Sequence, residues 1–403
     1  FFMLLILYRT MEEFVVKKRE EFGLAQGRGF LPKSDPLLRL SLQYEAWETL
    51  VAKLPTLLLA DRVGEAVESL PQLSTAELLE DELDRAMMVL SYIAHAYVYE
   101  TSPPRASIPA QVAVPWCAVA DKLDRPPILA YASHSLSNWR RLDDSREVGL
   151  DNVARLVQFY GGMDEDWFVL VHVVIEQTAA PCVDAVLELQ YAMDVGDADA
   201  VEAALVTIGE YLGKACEVLA RMPTKCDPHI FFLRGRRFIF GWYNNPALPD
   251  GVVYEGAREK PVTDLRGETG AQSSLIPCLD LALGIHFEDD HLKHHVLTMR
   301  EYAPREHRNF LDFLEKSRNV RQYLLDSPDL RARLAPPYNK CVELVGRFRR
   351  MHLEFAKLFI FERKHMEGTS GTHPHNVGTG GTPFLKYLSD HIGAVLDHKL
   401  PVS

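Results

Sequence analysis

Three groups of residues have types and spacings suited to joint chemistry. The first is Asp227-Pro228-His229-Ile230-Phe231-Phe232-Leu233-Arg234-Gly235-Arg236-Arg237-Phe238-Ile239-Phe240-Gly241-Trp242, which packs guanidinium groups among aromatic rings. If this stretch is helical, Phe232 and Arg236 are four residues apart and share a face. A cation held among aromatics is costly unless it meets an anion, so the face suits a flat ligand bearing a carboxylate. The alternative is a surface arginine cluster on a half-buried helix. The second group centres on His352, with Val345, Phe348, Phe355 and Phe359 at −7, −4, +3 and +7 from it. That spacing sets His352 on an apolar helical stripe, as a hydrogen-bonded core residue or as a neutral nitrogen donor facing an apolar slot. The third is Arg349, one turn before His352, with Asp280 in Cys278-Leu279-Asp280. Buried charges need partners, so these two are expected to pair with each other or with an anionic ligand group, unless they form an ordinary structural salt bridge.

Other blocks accompany them in a fixed order. Upstream are Gly29-Phe30-Leu31-Pro32, Tyr131-Ala132, Asn138-Trp139 and Trp167-Phe168. Downstream are Asn245-Pro246-Ala247-Leu248-Pro249-Asp250-Gly251, Gly270-Ala271-Gln272-Ser273-Ser274, Pro304-Arg305-Glu306-His307-Arg308-Asn309-Phe310-Leu311, His352-Leu353 and Gly378-Thr379-Gly380-Gly381-Thr382. Each block alone is weak; the ordered set, from about residue 29 onward, resembles the indoleamine 2,3-dioxygenase family.

That resemblance implies haem b as cofactor, L-tryptophan and O2 as substrates, and N-formylkynurenine as product. It also implies an electron donor that keeps the iron ferrous. His352 matches the proximal histidine, and Arg349 and Asp280 match residues beside the cofactor. Arg236 matches the residue that holds the substrate carboxylate, and Phe231 the ring that packs on the indole. Tyr131, Phe168, Ile239, Gly270 and Thr379 fall in the substrate pocket, and Thr379 belongs to a loop that closes over substrate. His172 stands where the mammalian enzymes carry a serine. Phe168, His172 and Ile175 share a helical face, so His172 is expected to look into the pocket as a catalytic-side group, or else to pack as a core histidine. His134 replaces a mammalian cysteine, and its role stays open. Relatives with another indole substrate, or with a myoglobin-like oxygen-carrying role, are the alternatives.

These side chains need elements to position them, and the periodicity is helical almost throughout. Residues 76–99 repeat Leu78, Leu79, Leu83, Met87, Leu90, Ile93 and Ala94 at three- and four-residue spacings. Residues 182–220 read as two helices broken at Gly196-Asp197-Ala198-Asp199, where the aspartates suit an N-cap, and 338–363 reads as one long amphipathic helix. Alternating β pattern is nearly absent, so the fold class expected is all-α. Ser102 to Pro115 is proline-rich and expected to be an irregular connection, and polar Asp143 to Gly149 looks like an approach to a second domain. The expected division is a smaller, mostly helical domain over 1–155 and a larger helical domain over 156–403; the resemblance puts the cofactor in the larger. A glycine-rich stretch at 366–382 reads as a linker or a mobile lid.

Composition narrows the partners. With 403 residues, 47% apolar and 25% charged, the chain has room for two cores. A net charge of −12 argues against nucleic acid, and no polybasic block suits a membrane surface. The six scattered cysteines form no C-x-x-C pair and read as reduced thiols of a cytoplasmic protein. Phe1 to Arg9 is too short an apolar run to span a bilayer. His286, His291, His294 and His295 lie in acidic, unpatterned surroundings and read as a solvated turn rather than a metal site. A monomer is expected.

Overall fold

The computed structural model describes residues 2–287, 291–363, 378–381 and 385–402. Within them the fold is all-α. The strands are two-residue pieces: Ser107–Ile108 runs parallel to Val253–Tyr254, and Arg140–Arg141 runs antiparallel to Val153–Ala154.

The helix Leu83–Tyr99 is buried on every side, so its polar groups must find partners inside the protein. Arg85 makes two charge-assisted bonds to Glu48, at 2.9 and 2.6 Å. The Nδ1–H of His95 donates to the Phe238 carbonyl at 2.6 Å, and its Nε2 accepts the Leu129 N–H at 3.1 Å. Tyr99 donates to the Phe240 carbonyl at 3.0 Å. These bonds fasten the first part of the chain to the aromatic–arginine segment.

The break read at Gly196–Asp199 is present. Gly196, at φ +74°, closes the helix Ala180–Val195, and the Asp197 carboxylate accepts the N–H groups of Asp199 and Ala200 to open Ala198–Leu219. Residues Met163–Val195 are apolar and long enough to cross a bilayer by composition, yet 72% of the most apolar 18-residue stretch within them is buried inside the protein. It comprises two core helices, Met163–Thr178 and Ala180–Val195.

Two expectations need correction. The connection at Ser102–Pro115 is irregular only as far as Pro109; the helix Ala110–Leu123 runs straight through Pro115. Burial of Val112, Ala113, Trp116, Val119 and Ala120 offsets the backbone bond that Pro115 forfeits. The long C-terminal helix spans Pro328–Phe359, beginning ten residues before the expected start. It passes Pro336 and Pro337 because Leu334, Ala335 and Tyr338 around them are fully buried. The 366–382 lid reading falls outside the described residues except at 378–381.

Candidate active site

A largely apolar cavity opens between the helices Met163–Thr178, Leu275–Leu283 and Pro328–Phe359. Its walls include Ile175, Leu219, Leu275, Ile276, Val296 and Phe348. Into this wall project His172, Tyr131, Glu176, Asp280, Arg349 and His352. Phe348 and His352 are four residues apart on one helix and line the same space, as their spacing requires.

His352 makes no hydrogen bond to any described residue and keeps an exposed imidazole face. Its ring lines the cavity, and burial there presses its pKa down to about 4. The ring is therefore neutral at pH 7, with a lone pair available in an apolar slot. At the rim, Arg349 Nη1 donates to Asp280 Oδ1 at 3.0 Å while Nη2 reaches Oδ2, a two-bond fork. Burial raises the Asp280 carboxyl, and Arg349 opposes that shift. A neutral imidazole donor, apolar walls and a cation at the edge fit a flat macrocycle with an axial nitrogen ligand and anionic substituents.

His172 projects into the same cavity. Its Nδ1 lies 2.7 Å from the carbonyl oxygen of Phe168. A carbonyl only accepts, so Nδ1 carries the proton and Nε2 is left as an acceptor. Burial lowers the His172 pKa, which keeps the ring neutral. A Cβ placed on Gly270 would stand 4.0 Å from Nε2, so Gly270 borders the space in front of that acceptor.

One turn further along the helix is Glu176, which sequence reasoning missed although it stands four residues from His172. The Tyr131 hydroxyl donates to Glu176 Oε1 at 3.0 Å, and Ser273 donates to the same oxygen at 2.6 Å. Burial outweighs these bonds and pushes the Glu176 carboxyl up to about 7. Tyr131 is thus locked at the cavity wall.

A second cavity lies beyond Phe168. It is bounded by Phe168, Phe231, Ile239, Phe159, His134 and Arg234, with Asp164 and Glu165 at its edge. The Phe168 ring lies tilted against Phe231 at 4.5 Å and against His172 at 4.8 Å, between the two spaces. Both sides of this cavity use π-turns, Ala132–Leu136 carrying His134 and Phe231–Gly235 carrying Arg234. Such turns carry one residue more than an α-turn and re-aim side chains, which the simple helical reading of 227–242 did not foresee.

Arg236 follows in the short 3-10 turn Arg236–Ile239 and is fully buried. Its guanidinium sits 5.6 Å from the Phe232 ring and 5.2 Å from the Phe240 ring. The shared face with Phe232 is therefore real, but Arg236 borders neither cavity; Arg234 does. Burial lowers the Arg236 pKa to about 9, so the cation is held against a desolvation penalty.

Thr379 donates its hydroxyl to the Glu268 carbonyl, and its own carbonyl accepts Gly241 N–H at 3.2 Å. The chain crossing there is tight: a Cβ on Gly241 would come within 2.1 Å of the Gly267 nitrogen. Thr379 is thereby pinned above the 239–241 segment, with Gly378 and Gly380 on the first cavity. The reading of His286–His295 as a solvated turn is corrected. Residues His291–Arg300 form a helix, and His295 lines the first cavity with its pKa pressed to about 4 by burial. No group of three or more metal-ligating side chains occurs among the described residues.

Comparison with known proteins places this geometry. The family model described as indoleamine 2,3-dioxygenase matches residues 18–392. The chain is 36% identical to indoleamine 2,3-dioxygenase 1 of Rattus norvegicus, over 92% of each chain. It is 33% identical to indoleamine 2,3-dioxygenase of Saccharomyces cerevisiae, over 94% of each. The 6-hydroxytryptophan 2,3-dioxygenase fscD of Fusarium equiseti is 29% identical, with 92% of this chain and 95% of that protein aligned. With a match that runs through both cavities and the helices behind them, the chain belongs to the indoleamine 2,3-dioxygenase family, a family of oxidoreductases of the dioxygenase kind.

Proposed function

We propose that the protein is a haem-dependent dioxygenase that adds both atoms of O2 across the indole C2–C3 bond of L-tryptophan, giving N-formylkynurenine. The observation that carries this reading is the pair of neutral imidazoles, His352 and His172, facing one apolar cavity with different remaining valences. His352, with no hydrogen bond to any described residue, would hold the cofactor iron. His172 is anchored through Nδ1 and offers Nε2 to a donor. Arg349, braced by Asp280, would pair with an anionic substituent of the cofactor.

Bound there, a ferrous haem supplies the oxygen chemistry. The chain's part is to bind, orient and keep water away. Phe168 and Phe231 give the indole a flat aromatic wall. His172 Nε2 accepts the indole N–H, which fixes the rotation of the ring in its plane. Tyr131, held by Glu176, closes the inner wall. Arg236, a buried cation, would hold the substrate carboxylate. Reaching the ligand requires its side chain to leave the Phe232–Phe240 sandwich. Gly270 and Thr379 border the ligand from the backbone side.

A division near residue 155 suits this arrangement, with Tyr131 and His134 of the 1–155 part reaching over a pocket built by 156–403. The six free, buried thiols suit a reducing setting, in keeping with a cytoplasmic location. The test is turnover of L-tryptophan by reduced, haem-loaded protein. Accumulation of formylkynurenine supports the reading; oxygen binding without product would make the protein a carrier.

A further inference from the structure

Three consecutive carbonyls of the segment 378–381 each accept a hydrogen bond from the chain beneath them. Gly241 N–H donates to the Thr379 carbonyl at 3.2 Å, Arg266 Nη1 to the Gly380 carbonyl at 2.8 Å, and Asn244 Nδ2 to the Gly381 carbonyl at 3.1 Å. The first donor is backbone, which almost any residue supplies. The other two are side chains, and nothing in the reaction described above uses them.

Both donors are themselves held in place. The Arg266 guanidinium lies 3.9 Å from the centroid of the Tyr243 ring, a cation–π contact that orients it while Nη1 reaches Gly380. The Arg266 backbone N–H donates to the Tyr302 hydroxyl oxygen at 2.8 Å. Asn244 stands at φ +49°, in the left-handed region that asparagine tolerates better than most residues. The stretches that carry them cross, since the N–H groups of Trp242 and Tyr243 both donate to the Leu265 carbonyl at 2.8 Å.

The segment fits this floor closely. A Cβ on Gly381 would stand 2.5 Å from the Tyr243 carbonyl oxygen, and Gly381 is at φ +78°. One residue earlier there is room: a Cβ on Gly380 would meet Thr269 at 3.5 Å and His295 at 3.8 Å, ordinary contacts. Gly378, Gly380, Thr269 and His295 all line the first cavity, so the seat of this segment sets part of its wall. Arg266 and Asn244 border neither cavity.

We propose that Arg266 and Asn244 are positioning residues that seat the segment 378–381 on the wall of the first cavity and so slow the release of the indole bound there. This rests on the function proposed above and adds residues that act on it through the segment alone. A charge-assisted bond to a buried carbonyl is the stronger of the two, so Arg266 contributes more than Asn244. Because neither side chain meets the ligand, their loss affects indoles with and without a carboxylate alike.

The test uses haem-loaded protein and the variants Arg266→Met, Arg266→Lys and Asn244→Gly. Methionine keeps a long side chain against Tyr243 without the donor; glycine at 244 removes the amide without straining the backbone. Hydrogen–deuterium exchange is read on the peptide containing 378–381, release of L-tryptophan and of tryptamine by stopped flow, and stability by the urea midpoint. Arg266→Met is expected to speed exchange in that peptide and to raise both release rates equally, by about tenfold, with the midpoint unchanged. Arg266→Lys should recover most of the loss, and Asn244→Gly should show a smaller change in the same direction. Gly381→Ala should behave as Arg266→Met does, and Gly380→Ala should not. The inference is overturned if Arg266→Met leaves exchange or release as in the unaltered protein, or changes the two release rates unequally. It is also overturned if the midpoint falls and exchange rises throughout the chain, as loss of a merely structural arginine would give. An unaltered protein that binds neither indole counts against the proposed function; normal retention that Arg266→Met does not shorten counts against this inference alone.

Discussion

His172 Nδ1 sits 2.7 Å from the Phe168 carbonyl oxygen, and this one bond decides what the rest of the imidazole can do. It fixes the tautomer, turns Nε2 toward Gly270 and makes the residue an acceptor rather than a proton donor. 1-Methyltryptophan, which lacks the N–H, is therefore expected to bind and react poorly. His172→Ser should narrow the gap between tryptophan and its N-methyl analogue, with a moderate loss on tryptophan. An unchanged ratio would mean that Nε2 does not meet the substrate.

The same bond sets a pH dependence. Burial lowers the His172 pKa below the ordinary value of about 6.5, so the acceptor is intact above and through that value. Substrate affinity should be flat from pH 8 to 6.5 and fall only on the acid side, where protonation converts Nε2 to a donor. In His172→Ser this acid limb should disappear. A limb at or above pH 6.5 that the serine variant removes would contradict the assigned environment.

Removing the imidazole of His352 should abolish stoichiometric haem binding. Haem content of His352→Ala, measured by absorbance against protein concentration, is expected to drop well below that of the unaltered protein, with partial recovery in added imidazole. Full haem content without imidazole would show that another residue supplies the axial nitrogen.

The arginine question separates two neighbours. For Arg236→Ala a loss of about 2–4 kcal/mol in transition-state stabilisation is expected with tryptophan, and much less with indoles lacking the carboxylate. Arg234→Ala is the matched comparison, since Arg234 already borders the second cavity. If the carboxylate-dependent loss appears in Arg234→Ala and not in Arg236→Ala, the buried Arg236 is structural.

How much of this the sequence disclosed depended on the kind of element. Helices with a continuous apolar stripe and a capping aspartate were readable, as at Ala198–Leu219 behind Asp197. The pairing of Arg349 with Asp280 was readable because buried opposite charges seek each other. The prolines misled in two places, since Pro115 and Pro336–Pro337 signal breaks that burial of their neighbours overrides. The π-turns at Ala132–Leu136 and Phe231–Gly235 have no periodic signature, so the exchange of Arg234 for Arg236 at the cavity wall was not foreseeable. Glu176 was hidden differently: its role comes from Tyr131 and Ser273, 45 and 97 residues away.

Buried histidines should also make the fold acid-sensitive. His95 and His307 are both pressed to about 3 by burial, and His95 additionally accepts the Leu129 N–H. Unfolded, each titrates near 6.5, so between that value and about 3 the unfolded chain binds more protons. The stability they contribute is complete above pH 6.5 and falls as pH drops, by about 1.4 kcal/mol per pH unit for each. Urea midpoints at pH 7, 6 and 5 should show this slope, and His307→Phe should lessen it. A midpoint independent of pH over this range would contradict the neutral burial of these rings.

Joining both atoms of one O2 molecule to an indole, as proposed, is read directly by isotope labelling. Reduced, haem-loaded protein is mixed with L-tryptophan under 18O2, and the product is weighed by mass spectrometry before exchange with water. Formylkynurenine four mass units heavier than that formed under ordinary oxygen is expected, as two oxygen-18 atoms require, with no product from His352→Ala. Product carrying one labelled atom or none, or spectroscopic oxygen binding with no cleavage of the indole, would contradict it.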